Sequence, residues 1–163
     1  MRLSTGARCG KASTVRGRAG SNAWGELPLV VDSSAWSRAH HPGVRGPFKR
    51  ALLANRLRLS PAVRLEILLS ARDGDAFDEL AQELAALRSA PLTATVLRAA
   101  EDAMRTLAHR SAGAQRIPIV DYVVAAAAQE TGAAVLHYDR DYDLLAEIMQ
   151  FESVWLAPRA SLP

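Results

Sequence analysis

Leu27 to Val31 is an unbroken apolar run with two β-branched valines, and it stops at Asp32, Ser33 and Ser34. A strand with one wet face alternates polar and apolar residues. An unbroken run instead specifies a strand buried on both faces, the kind found in parallel sheets covered by helices. Ala133 to His137 repeats the pattern late in the chain, and Leu57 to Ser60 and Ser153 to Leu156 read as two further short strands. Helical patterns lie between these runs. Val96, Leu97, Ala100, Ala103, Met104 and Leu107 recur at three- and four-residue spacing in a helix predicted over 94–110, with Thr93 or Thr95 as its cap. Ser60 and Pro61 open a helix to about Ala71, closed by Asp73, Gly74 and Asp75. Further helices are predicted over 75–88, from Pro118 to Glu130 with Gly132 as terminator, and over Asp141 to Phe151. Ala35 to His40 starts a helix, His41, Pro42, Gly43, Gly46 and Pro47 read as a loop, and Phe48 to Ala54 reads as helix. Strands alternating with helices, with no internal repeat, predict an α/β fold with a central parallel sheet covered on both faces.

The 163 residues are enough for one ordinary domain. Residues 1–27 carry five basic and one acidic side chain, whereas 28–163 carry 15 basic and 16 acidic, so the excess positive charge belongs to the head. A near-neutral domain with clustered acids would reach a polyanion through metal ions or local arginines. The Gly-, Ser- and Arg-rich head has no apolar run of secretory-signal length and reads as a disordered extension or a mis-assigned start, leaving 28–163 as the domain. The one cysteine, Cys9, lies in this head, which leaves no disulfide or Cys-ligated metal in the domain and fits a reducing cytoplasm. The longest uncharged apolar stretch is the seven residues Tyr122 to Ala128, far short of a transmembrane helix at roughly 18 to 20.

In an open parallel sheet the reactive crevice lies beyond the carboxyl ends of the strands, and the acids fall there. Asp32 ends the first strand, Glu66 lies in the helix after the second, Asp121 is in the first turns of the helix after Pro118, and Asp139 and Asp141 follow His137. Carboxylates brought together raise one another's pKa unless a cation fills the space, and a divalent metal is the natural one. Each acid also has a plainer reading. Asp32 is a good N-cap, Glu66 a surface residue on an amphipathic helix, and Asp121 a partner of the helix dipole. Against a surface role, the neighbours Leu65, Ile67, Leu68 and Leu69 leave Glu66 little polar face, and a carboxylate amid them needs a partner. Asp139, Asp141 and Asp143 form D-x-D-x-D, of which one acid serves as a helix cap. An EF-hand is excluded because Leu144 and Gln150 stand where its glycine and glutamate belong. No G-x-S-x-G, P-loop or G-x-G-x-x-G occurs, and His40, His41, His109 and His137 have no zinc spacing. His137 reads as a strand residue beside the site, and Trp36 and Trp155 as packing residues.

Four segments, Val30 to Trp36, the Ser60-Pro61 helix with Glu66, Asp121 to Ala128, and Gly132 to Asp143, resemble in order and spacing the PIN-domain ribonucleases. The likeness is greatest to the VapC toxins of bacterial toxin-antitoxin pairs and runs from about Leu29 to Pro158. It implies a three-layer α/β/α sandwich in which Asp32, Glu66, Asp121 and Asp139 are the catalytic, metal-binding acids. Asp141 competes for the fourth place, and Ser34 matches the hydroxyl that accompanies the first acid. One or two Mg²⁺ or Mn²⁺ ions, suited to oxygen-only ligands, would serve hydrolysis of an RNA phosphodiester, in tRNA or another structured RNA. Asp32 and Asp121 would hold the main ion, with Glu66 and Asp139 completing the cup. Arg116 and Arg140 are candidates for phosphate contact, against a plainer reading as solvated loop arginines. The resemblance further implies a homodimer and an antitoxin that inhibits the acidic groove. A PIN nuclease of RNA processing without a toxin role, and a catalytically silent module that binds a basic peptide in the same pocket, are the alternatives.

Overall fold

One sheet, parallel throughout, organises residues 24–163, the part of the chain described by the computed structural model. In chain order the elements are β1 (Leu29–Val31), α1 (Ser33–Trp36), α2 (Pro42–Leu53), β2 (Leu57–Leu59), α3 (Pro61–Leu69), α4 (Gly74–Ala85), β3 (Arg88–Ser89), α5 (Ala94–Arg110), α6 (Ile119–Thr131), β4 (Ala134–His137), α7 (Asp141–Ala146) and β5 (Glu152–Trp155). The strand order is β3-β2-β1-β4-β5. Leu29, Val30 and Val31 pair with Leu57, Arg58 and Leu59 on one side and with Ala134, Val135 and Leu136 on the other. β1 is therefore central and wholly buried, as its unbroken apolar run requires.

Alternate side chains of β1 and β4 feed two cores. Val30 and Val135 pack with α3, α5, α6 and α7, while Leu29, Val31, Ala134 and Leu136 pack with α2 and the segment after β5. This is the expected three-layer sandwich. α6 is buried continuously from Asp121 to Ala128, packed on α5, α3, α7, β1 and β4. Its alanines let these neighbours approach closely, and Asp121 is the one charge in that stretch. Gly132 ends α6 at φ 61°, donating to the carbonyls of Ala128 and Gln129, a left-handed conformation suited to glycine.

Several boundaries differ from expectation. The residues read as a loop, His41 to Pro47, begin α2. The His41 ring nitrogen accepts from Gly43 N at 3.2 Å, Pro42 occupies the first turn, and Val44, Phe48 and Ala51 bury one face. That apolar stripe outweighs the Gly and Pro signals, and the carbonyl that Pro47 leaves unbonded belongs to Gly43, which is exposed to water. Asp73 caps α4 rather than closing α3, accepting from Ala76 N at 2.8 Å. The last predicted helix stops at Ala146 instead of Phe151. β3 has two exposed residues and no apolar signature, which is why its sequence predicts no strand. Trp24, placed in the head by sequence, is 6% exposed and packs edge-on against Phe48, so the packed unit extends at least to residue 24 rather than starting at 28. The rest of the proposed extension, including Cys9, lies outside the described residues.

Candidate metal centre

The strand order changes direction between β1 and β4, where chain connections leave to opposite sides and open a crevice above the strand ends. Asp32 emerges from β1 at this point with 3% exposure. It caps α1, so the plainer reading of this residue is realised: Oδ2 accepts from Ser34 N at 2.9 Å and from the Ser34 hydroxyl. The same hydroxyl accepts from Tyr138 N at 2.9 Å, tying the end of β4 to the turn after β1. Ser34 therefore holds Asp32 and the neighbouring strand at once.

Asp121 projects from the first turn of α6 and is 8% exposed. Burial, followed by the charges of Asp32, Asp139 and Asp141, pushes its pKa up to about 7. Asp139 follows β4, and its Oδ1 accepts from Asp141 N at 3.0 Å, fixing the turn into α7. Asp141 is raised as well, by burial and by Asp139, with Arg140 opposing. One carboxylate oxygen each from Asp121, Asp139 and Asp141 lies within 4.8 Å of the others. An all-oxygen donor set with excess negative charge fits a hard divalent cation.

The third acid of D-x-D-x-D faces elsewhere. Asp143 accepts from Ser153 Oγ at 2.8 Å and Trp155 Nε1 at 3.1 Å and pairs with Arg159. Burial alone would raise its pKa, but these donors and the arginine charge bring it below the usual range. It anchors β5. Glu66 departs further from expectation. It is exposed on α3, and its neighbours Leu65 and Leu69 are 68% and 87% exposed, so water solvates the carboxylate and no buried partner is required. It lines a recess with Ser33 and Trp36 at the rim of the acids, outside the close trio. Arg140 and Arg116 are both exposed, the former near enough to Asp141 to lower its pKa.

One participant goes unnoticed in the sequence reading, and His137, read there only as a strand residue beside the site, has a defined part. The Tyr142 hydroxyl, fully buried, lies 2.8 Å from Asp32 Oδ1 and 3.4 Å from Asp121 Oδ1, bridging acids from β1 and α6. A buried tyrosine hydroxyl needs a polar partner, and that rule applied to D-Y-D was the available signal. His137 is buried, and its Nδ1 accepts from Asp139 N at 3.2 Å, so its Nε2 proton faces Ser153 Oγ at 2.8 Å. Burial pushes its pKa down to about 4, against the pull of Asp143 and Asp32. It is a neutral strut under the Asp139 turn.

Residues 29–148 match the PIN domain family. Ribonuclease VapC18 of Mycobacterium tuberculosis is 40% identical over 137 residues, spanning 83% of this chain and 100% of that protein. Ribonuclease VapC51 of the same organism is 32% identical over 136 residues, spanning 83% and 98%. In fold, the chain is similar to DNA-bound VapBC from Salmonella typhimurium, with TM-score 0.63 and 14% identity over 81% of this chain and 100% of that one. It is similar also to VapBC2 from Rickettsia felis bound to a promoter DNA fragment, with TM-score 0.60 and 12% identity over 78% and 97%. With the acids standing where that fold opens its crevice, the chain belongs to the PIN-domain family and, within it, to the VapC ribonucleases.

Proposed function

We propose that this protein is a divalent-metal-dependent endoribonuclease, the toxin of a toxin-antitoxin pair. The observation that carries the reading is Asp121, buried among three further carboxylates with its pKa raised to about 7, an arrangement that a cation relieves. Asp121, Asp139 and Asp141, with Asp32 beside them, would hold Mg²⁺ or Mn²⁺. When bound, such an ion supplies charge stabilisation to the phosphodiester and lowers the pKa of attacking water. The chain's own part is to orient these ligands. Ser34 and Tyr142 fix the two oxygens of Asp32, and His137 holds the backbone of Asp139. Glu66 at the rim would meet the substrate side of the centre, and the exposed Arg140 a phosphate.

An antitoxin that occupies the acidic crevice goes with this reading, as does a homodimer covering the exposed Leu65, Leu69 and Phe77 around Glu66. No helix among the described residues is long and apolar enough to cross a membrane; the RNA substrate puts its action in the cytoplasm. The test is cleavage of total RNA by purified protein with Mg²⁺, with Mn²⁺ and with EDTA, beside Asp121→Ala. Discrete fragments that need metal and vanish in the variant are expected. Intact RNA in every lane, from folded protein free of antitoxin, would favour the silent peptide-binding module instead.

A further inference from the structure

The near-neutral balance of the domain conceals a sharp separation of charge. Between the acids Asp32 and Glu66 the chain has seven basic residues and no acidic one, whereas Asp32 and residues 66–163 together hold eight basic and 16 acidic residues. Several of the seven cations are used internally. Arg38 bonds the carbonyls of Ser34 and Pro163 and lies over the Tyr138 ring, Arg56 bonds those of Trp24 and Leu27, and Arg64 that of Ala81. Arg45 and Lys49, one turn apart on α2, are exposed and make no side-chain hydrogen bond or ion pair among the described residues. They rim a recess of about 160 Å³ with Glu83, over a floor that includes Trp36, Phe48 and Leu87. A second recess shares Trp36 and His40 with the first and continues to Ser33 and Glu66, beside Asp32. Two adjoining recesses thus form a groove from Glu66 and Ser33, next in sequence to Asp32, across Trp36 to a helix whose free charges are positive.

We infer that this groove and α2 form the track on which single-stranded RNA leaves the acidic centre, with backbone phosphates at Arg45 and Lys49 and a base over the apolar recess. The inference rests on the ribonuclease reading and names the surface that captures its substrate. An acidic centre repels a polyanion, so capture must come from cations outside it, and free lysine and arginine beside an apolar floor are the usual means of holding single strands.

The test measures binding of a fluorescent 12-nucleotide single-stranded RNA to full-length Asp121→Asn protein as salt is raised, with and without Arg45→Ala and Lys49→Ala together. Loss of two phosphate contacts should reduce the slope of log affinity against log salt by about 1.4, so that from 50 to 200 mM the parent loses roughly sevenfold more affinity than the double variant. Arg98→Ala on α5, an exposed arginine far along the chain from this groove, should leave the slope unchanged. Residues 1–27 are common to every protein compared and cancel. An unchanged slope in the double variant overturns the inference, as does an equal fall in Arg98→Ala. Double-variant protein that binds RNA normally but fails to capture a co-expressed antitoxin also overturns it, assigning the face to a protein partner. Failure of the ribonuclease reading is seen separately, as absence of metal-dependent cleavage by the unsubstituted chain.

Discussion

The Tyr142 hydroxyl has one proton and two carboxylate neighbours, and the shorter contact, to Asp32, makes Asp32 its main acceptor. Tyr142→Phe would keep the ring in its pocket and strand a buried carboxylate oxygen, at a cost of about 1–3 kcal/mol. Thermal unfolding in EDTA should therefore drop by several degrees, and saturating Mg²⁺ should recover part of the loss by meeting the same charge. Asp121 and His137 make a second prediction, because their linkages to pH oppose each other. The Asp121 pKa is raised from 3.8 to about 7, so the folded state binds the extra proton and stability from this group is lost as pH rises through that range. Facing it are Asp32 from β1, Asp139 and Asp141 around the start of α7, and the Tyr142 hydroxyl. The His137 pKa is lowered from 6.5 to about 4, so its contribution is present above 6.5 and lost as pH falls. Between pH 4.5 and 6.5 the slopes cancel. Asp121→Asn removes one of them, and its urea-unfolding free energy in EDTA should rise across this interval by about 3 kcal/mol more than that of the parent. Equal slopes would show that Asp121 is not buried among charges as described.

At the level of elements, Gly132 and Gly74 offer a matched comparison. A methyl group at either meets nothing within 4 Å, but Gly132 has φ 61° and Gly74 does not lie in the left-handed region. Gly132→Ala should cost about 1 kcal/mol through the backbone alone, while Gly74→Ala should be neutral or slightly stabilising. Denaturant titration of both variants separates strain at the α6 terminus from loss of chain flexibility. The same contrast explains which elements were legible in the sequence. α5 has a long apolar stripe and a threonine cap, and its bounds, Ala94–Arg110, agree with those predicted. β1 and β4 announce themselves because central strands cannot be wet. α2 was obscured because Pro42, Gly43, Gly46 and Pro47 signal a turn locally, and only packing of Val44, Phe48 and Ala51 against the sheet reveals a helix. In the site, position after a strand singled out Asp32, Asp139 and Asp141, and position in the first turns of α6 singled out Asp121. The part played by Asp143 depends on Ser153 and Trp155 of a neighbouring strand, and the exposure of Glu66 on how α3 turns, neither of which is a local property of the chain.

Across the whole molecule, the fold concentrates negative charge at the one place where the sheet opens, at the expense of its own stability. Four carboxylates converge from β1, α6 and the β4–α7 turn, and near neutral pH their repulsion is relieved in part by the proton on Asp121. A cation that binds the folded chain should replace that proton and stabilise the fold by mass action, by about 2.7 kcal/mol at a hundredfold excess over its dissociation constant. For a domain of this size that is a rise in Tm of roughly 5–10 °C. Because the ion and the proton compete for Asp121, metal affinity should fall about tenfold for each pH unit below 7. Titration calorimetry with Mn²⁺ at pH 7.5 and pH 5 should give dissociation constants differing by about a hundredfold, with uptake at the higher pH releasing a fraction of a proton and at the lower pH nearly a whole one. Asp121→Asn has no proton to exchange at this position, so its weaker binding should vary much less with pH. If parent and variant showed the same pH dependence, the competing proton would reside elsewhere, and the coupling of charge, stability and metal at the mouth of the sheet would have to be assigned to Asp139 and Asp141 instead.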